Sequence, residues 1–207
     1  MCVTLGKNHR TRNRRGEGGR LREEIIAAAA RLIEEQGQDA VGLRAIARSA
    51  GITAPSIYAH FEDLDDVLEA VVANTFDALA AYLRRGVEAY TDPVARLRGA
   101  CHAYVAFGRD HPEQYAILFT RKVELSPEID KTVDSMLGAE AFAFLLDAVR
   151  ECAATGRSSS IQPIEDATAL WVALHGYVSL RAAIPDYPWP PEDIVLDNLI
   201  DRVALLQ

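Results

Sequence analysis

The sequence predicts an all-α protein, with an N-terminal three-helix domain followed by a larger helical one. Three observations carry this. Residues 43–61 read as two short helices joined by a glycine turn. The stretches 65–90, 127–154 and 164–184 repeat apolar residues every three or four positions, the spacing of one helix face. No stretch keeps the period-two alternation of a half-buried strand, and no internal repeat is present.

The 207 residues suffice for one large or two small domains, and 49% are hydrophobic, enough for a sizeable core. No apolar run approaches the roughly 20 residues of a membrane span. No apolar stretch follows the basic first residues, so a secretory signal is not expected. Cys2, Cys101 and Cys152 lack close pairing, which fits a reducing cytoplasm better than a disulfide framework or a Cys-x-x-Cys metal site. The net charge of −8 argues against nucleic acid until its distribution is read. Residues 1–22 carry seven Lys/Arg and one acid, 23–61 three and five, and 62–207 twelve and twenty-four. A basic end on an acidic body is the informative quantity.

Residues 1–19 are rich in Arg and Gly without periodicity and read as a disordered arm. Arg14 and Arg15, with Arg10, Arg12 and Arg20, suit a phosphate backbone or a minor groove; a solvated tail is the plainer alternative. Residues 20–36 form the first helix, with Ile25, Ala28, Ala29, Leu32 and Ile33 inward and Gly37 at its end. Gly42 precedes the next helix, where Leu43, Ile46, Ala47 and Ala50 share a face. Gly51 stops that helix. Ile52 anchors the turn, Thr53 is placed as an N-cap, and Pro55 falls in the following first turn, where a missing N–H costs little. The short helix over about 54–60 turns Ile57 and Phe61 inward. It leaves Ala54, Pro55, Ser56, Tyr58, Ala59 and His60 outward, and Tyr58 and His60 have no core to fill. This is a helix-turn-helix, whose second helix enters the DNA major groove.

A long helix over 65–90 follows, with Val67, Leu68, Val71, Val72, Thr75, Phe76, Leu79, Leu83 and Val87 inward. Helices are then expected over 93–109, 113–119, 127–154, 164–184 and 192–206. A loop at 156–160 and a rigid connection at 185–191 with four prolines separate the last three.

The runs Ala45-Ile46-Ala47, Ala50-Gly51-Ile52-Thr53 and Ile57-Tyr58-Ala59-His60-Phe61 resemble the DNA-binding signature of the TetR family of bacterial transcriptional regulators, over residues 25–71. The resemblance implies a DNA-binding domain over 20–64, a regulatory and dimerisation domain over 65–207, and a homodimer on a near-palindromic operator. It implies DNA contacts from Arg44, Thr53, Ala54, Pro55, Ser56, Tyr58 and His60, with Tyr58, His60 and Arg44 on phosphates. The sequence departs from the family at Leu64, where a phosphate-contacting lysine is usual. Four acids surround that position, which shifts the electrostatic load onto the arm.

Trp171, His175 and Gly176, in the order W-x-x-x-H-G, are similar to the TetR subgroup named for a Trp-His-Gly motif. A helix-interior glycine costs about 1 kcal/mol against alanine, and close approach of another backbone gives it a use. In the family the last two helices pair with those of a second subunit, which makes Ala173, Gly176, Tyr177 and Leu180 candidates for that interface. Leu196, Leu199, Ile200 and Val203 are candidates on the last helix, with intrachain core as the alternative. The family encloses a small-molecule effector among its helices. Phe107, Tyr115, Phe142, Trp171 and His175 are the candidate lining, drawn from a wider set with Phe76, Tyr104, Phe119 and Phe144. Most aromatics in a helical domain are ordinary core.

His102, His111 and His175 have no ligand partner at helical spacing, so no metal or cofactor is expected. No nucleophile elbow, phosphate loop or paired-carboxylate pattern suggests an enzyme. Two rivals remain. One is a ligand-binding protein that has lost its operator, which would fail to select DNA at low salt. The other is a helical enzyme, whose turnover would need His175.

Overall fold

Each apolar stripe becomes a helix. The computed structural model describes residues 18–120 and 138–207. Those residues form nine α-helices: α1 Gly18–Gln36, α2 Leu43–Ser49, α3 Ala54–Ile57, α4 Leu64–Val87, α5 Pro93–Asp110, α6 Pro112–Thr120, α7 Ala139–Ala154, α8 Pro163–Ala183 and α9 Glu192–Val203. A 3₁₀ turn at Gln38–Ala40 follows α1, and the described residues contain no strand. Arg14, Arg15, Ile129, Val133, Met136 and Leu137 lie outside the described residues.

The N-terminal helices bury one shared face. Ile25, Ala29 and Ile33 of α1 belong to one core with Ile46 and Ala47 of α2, Ile57 and Phe61 around α3, and Val67 and Leu68 of α4. The Arg22 guanidinium lies 5.0 Å over the Phe61 ring and adds a cation–π contact between α1 and the end of the motif. Leu64 is partly buried against this core, so the residue where the family has lysine serves packing here.

Helix α4 packs on α1 at one side and on α5, α6 and α7 at the other, so it belongs to both halves of the chain. Its start is capped by its own acids. The Asp63 carboxylate accepts from the Asp66 N–H at 2.9 Å, and the Asp66 carboxylate accepts from the Glu62 N–H at 3.0 Å. Near its other end α4 meets α5 backbone to backbone. A Cβ on Gly99 would lie 2.5 Å from the Gly86 carbonyl oxygen, and one on Gly86 would lie 3.0 Å from that of Gly99.

The last helix is clamped to α5 by charge. Arg98 pairs with Asp197 at 2.7 Å and also with Asp201, while His102 Nε2 stands 3.4 Å from Asp197. Arg98 and His102 are one turn apart on α5, as Asp197 and Asp201 are on α9.

Candidate nucleic-acid interface and regulatory core

The turn between α2 and α3 closes as a glycine stop does. Gly51 has φ +68°, and the Ile52 N–H reaches back to the Ala47 carbonyl at 2.9 Å. Thr53 stands at the N-cap in extended conformation, but its hydroxyl makes no capping bond. It pairs instead with the Ser56 hydroxyl at 2.8 Å. Helix α3 ends at Ile57, shorter than the span expected to residue 60, and Tyr58–His60 continue as a turn whose His60 and Phe61 N–H groups bond the Ile57 carbonyl. The fully buried Ile57 and Phe61 fix the element from within. On the other side Arg44, Thr53, Pro55, Tyr58 and Ala59 are exposed, and Ala54, Ser56 and His60 half-buried. Tyr58 is 61% exposed, a large ring with no role in the core.

Behind α4 the predicted lining residues gather, with one exception. The Trp171 indole N–H donates to the Tyr104 hydroxyl at 3.2 Å, Tyr104 and Tyr115 hydroxyls are 3.0 Å apart, and Tyr115 meets His175 Nδ1 at 2.8 Å. Phe119 packs 4.2 Å from the His175 ring, and Phe142 lies edge-on to Trp171 at 6.1 Å. Burial pushes the Tyr115 hydroxyl up and the Tyr104 hydroxyl up to about 12, and it pulls His175 down from 6.5. Phe107 is the exception. It is fully buried and packs with Tyr82 and His111, one turn further along α5 than Tyr104. Tyr104 takes the place in the cluster that Phe107 was expected to fill.

The expected dimer residues divide. Leu196 and Ile200 are fully buried within the chain and Tyr177 nearly so, which makes them intrachain core. The clamp of Arg98 on Asp197 and Asp201 holds that face of α9 against α5. Leu180 is exposed, and Ala173, Gly176, Leu199 and Val203 are half-buried. Ile164, Val172 and Ile194 are exposed too, leaving apolar surface on α8 and α9. A Cβ on Gly176 would meet nothing of this chain within 4 Å.

A helix-turn-helix ahead of a helical body with an aromatic core defines a class of regulatory proteins, and comparison with known proteins agrees. The model for bacterial regulatory proteins of the tetR family matches residues 25–71. The model for the tetracyclin repressor-like C-terminal domain matches residues 97–203, half of the chain. The chain belongs to the TetR family, a family of helix-turn-helix transcription regulators. It is 38% identical over 86 residues to the transcriptional regulator HbdR of Aromatoleum sp. (strain CIB), covering 42% of this chain and 36% of that one. It is 29% identical over 108 residues to the transcriptional activator FasR of Mycolicibacterium smegmatis, covering 52% and 49%. The chain thus spans a third to a half of these two relatives. A solved structure of a protein of unknown function from Rhodococcus sp. RHA1 superposes with a TM-score of 0.77 at 27% identity, over 94% of this chain and all of that one. Among the described residues no helix is long and apolar enough to cross a membrane.

Proposed function

We propose that this chain is a cytoplasmic, ligand-responsive repressor that binds a near-palindromic DNA operator as a homodimer. The observation that carries the reading is the outward face of α3 and its following turn. Small residues and an exposed Tyr58 stand there on a fully buried anchor of Ile57 and Phe61. Ala54, Pro55 and Ser56 lie against base edges, and Ala54 and Pro55 offer only apolar contacts, as to a thymine methyl. Tyr58, His60 and Arg44 take phosphates. Arg14 and Arg15 supply the charge that Leu64 does not. With thin direct readout, DNA shape contributes to specificity.

In this reading Tyr115, Phe142, Trp171 and His175, joined by Tyr104 and Phe119, recognise the effector. Ala173, Gly176, Leu180, Leu199 and Val203 contribute to the dimer, where open space over Gly176 admits a partner's backbone. The order of Trp171, His175 and Gly176 supports membership of the Trp-His-Gly subgroup in this reading. The effector shifts α4, and the two recognition helices cease to match successive major grooves about 34–36 Å apart. It must bind the DNA-incompetent form more tightly to do so. Domain limits of 20–64 and 65–207 put α4 in the regulatory part. The tetracyclin repressor-like C-terminal match is the support for repression in this reading, and the likeness to the activator FasR is the support for the alternative.

The test is selection of genomic DNA fragments by the purified chain at moderate salt, followed by sequencing. An enriched inverted repeat is expected. Salt-sensitive bulk binding without enrichment would overturn the operator reading and favour a protein that only binds its ligand.

A further inference from the structure

A cavity lies away from the aromatic core. It has a volume of about 540 Å³ and opens where the 185–191 connection folds back over α5 and α8. That is within the roughly 300–1,000 Å³ of small-molecule sites. None of Tyr104, Tyr115, Phe119, Trp171 and His175 lines it. Val105, Pro112 and Val178 supply apolar surface. Three rings stand together on another side: Tyr187 is 4.8 Å from Trp189, and Trp189 is 6.0 Å from Tyr177. The Arg181 guanidinium lies over two of them, 5.3 Å from Trp189 and 5.8 Å from Tyr177. Arg109 also lines the cavity and is paired with Glu192 at 2.9 Å.

Two groups there lack what their chemistry asks for. Arg181 has no carboxylate partner among the described residues, so one positive charge stays unmatched once Arg109 is set against Glu192. The Tyr177 hydroxyl is closed off from solvent and has no hydrogen-bond partner among the described residues. A buried hydroxyl without a partner is uncommon and asks for an explanation. The Trp189 indole N–H cannot supply it, since it donates to the Ile184 carbonyl at 2.9 Å.

We propose that this cavity is a binding site for an aromatic monocarboxylate, distinct from the effector site in the aromatic core. The carboxylate bridges the Arg181 guanidinium and the Tyr177 hydroxyl, accepting from both. The aromatic body lies against Trp189, Tyr187 and the apolar floor. Arg181 sets the charge at one, because Arg109 is already matched by Glu192. The inference is independent of the operator reading, since no residue of the DNA-binding face takes part.

The experiment uses the full chain with 2-naphthoate as probe and neutral 2-naphthamide as control. Calorimetry gives affinity, and ¹H–¹⁵N spectra of the two indole N–H groups give location, because Trp171 and Trp189 are the only tryptophans. Naphthoate is expected to bind one per chain, roughly tenfold or more tighter than naphthamide, and to shift the Trp189 signal while leaving Trp171 in place. Arg181→Gln is expected to bring naphthoate to the level of naphthamide. Tyr177→Phe is expected to weaken naphthoate while leaving the chain at least as heat-stable as before. No binding, equal binding of the two probes, or a shift of Trp171 alone overturns the proposal. So does a loss of self-association in Arg181→Gln with naphthoate affinity unchanged, which would make the cavity a contact between copies. The wild-type comparison of the two probes stands even if a variant fails to fold.

Discussion

The Tyr115 hydroxyl and Nδ1 of His175 stand 2.8 Å apart, and the order of donors that leaves no buried hydroxyl hydrogen idle has Tyr115 donating. This direction follows from the other end of the series. The Trp171 indole can only donate, so the Tyr104 oxygen accepts. The Tyr104 hydrogen is then free for the Tyr115 oxygen, and the Tyr115 hydrogen for His175. This order leaves no hydroxyl hydrogen idle, and it sets His175 as a neutral ring with its proton on Nε2.

Removing the middle of that series breaks two bonds at once. Tyr115→Phe leaves the Tyr104 hydroxyl without its acceptor and His175 Nδ1 without its donor, with no water-exposed alternative for the buried Tyr104. The expected cost is about 1–3 kcal/mol in urea unfolding, with the slope unchanged. A variant as stable as the parent would show that the hydroxyls are satisfied in another way.

His175 also gives the chain a direction with pH. Burial holds its proton affinity below the usual 6.5. As pH falls the unfolded chain therefore takes up the proton first. The contribution of the neutral ring is fully present above about pH 6.5 and is lost as pH falls through the lowered native value. The melting temperature is expected to drop between pH 7.5 and 5.5, and His175→Gln to remove part of that drop. An identical drop in the variant assigns the effect to the remaining histidines or the carboxylates.

For the DNA face, Tyr58→Ala is expected to weaken binding to operator and to unrelated duplex alike, by about tenfold, because a phosphate contact carries little sequence information. Competition binding with both duplexes checks it. A changed operator preference at unchanged affinity would move Tyr58 from the phosphate to a base.

Gly176 separates folding from assembly. With open space over it in one chain, Gly176→Leu should fold as well as the parent, and the gain in helix propensity favours it by up to about 1 kcal/mol. Between two chains the added side chain would hold the backbones apart. Sedimentation is expected to show monomer at concentrations where the parent is dimeric. A dimeric variant would place the interface elsewhere.

Gly99 makes the opposite case. Its added methyl would stand 2.5 Å from the Gly86 carbonyl, a backbone atom that no rotamer change can move. Gly99→Ala is expected to destabilise the chain by about 1–3 kcal/mol as α4 and α5 part. Thermal melts of Gly99→Ala beside Gly176→Ala, which meets nothing, isolate the clash from propensity.

Much of this was legible in the residues. Helical periodicity placed the apolar faces, because burial repeats with the helix turn whatever the partner. The turn at Gly51 was legible because a positive φ restricts the residue type. What could not be read is which of two apolar faces meets its own chain. Leu196 and Ile200 look like Leu199 and Val203 in sequence, yet the Arg98 clamp, ninety-nine and more residues away, turns the first pair inward. Phe107 and Tyr104 are likewise told apart only by the register of α5 against α8. A paired signal did exist for the clamp, in the one-turn spacing of Arg98 with His102 and of Asp197 with Asp201. The cavity had none, since α5, α8 and the proline-rich connection assemble it from separate stretches.

At the Gly86–Gly99 crossing the two backbones approach closely, with only the Ala103 methyl and the edge of the Tyr90 ring beside them. From Gly86 to the start of α4 at Leu64 the helix runs about 33 Å, so a swing of about 5° around the crossing carries the far tip roughly 3 Å. If an effector shifts α4 as proposed, the two glycines are placed as the fulcrum of that lever, with the helix-turn-helix at its end.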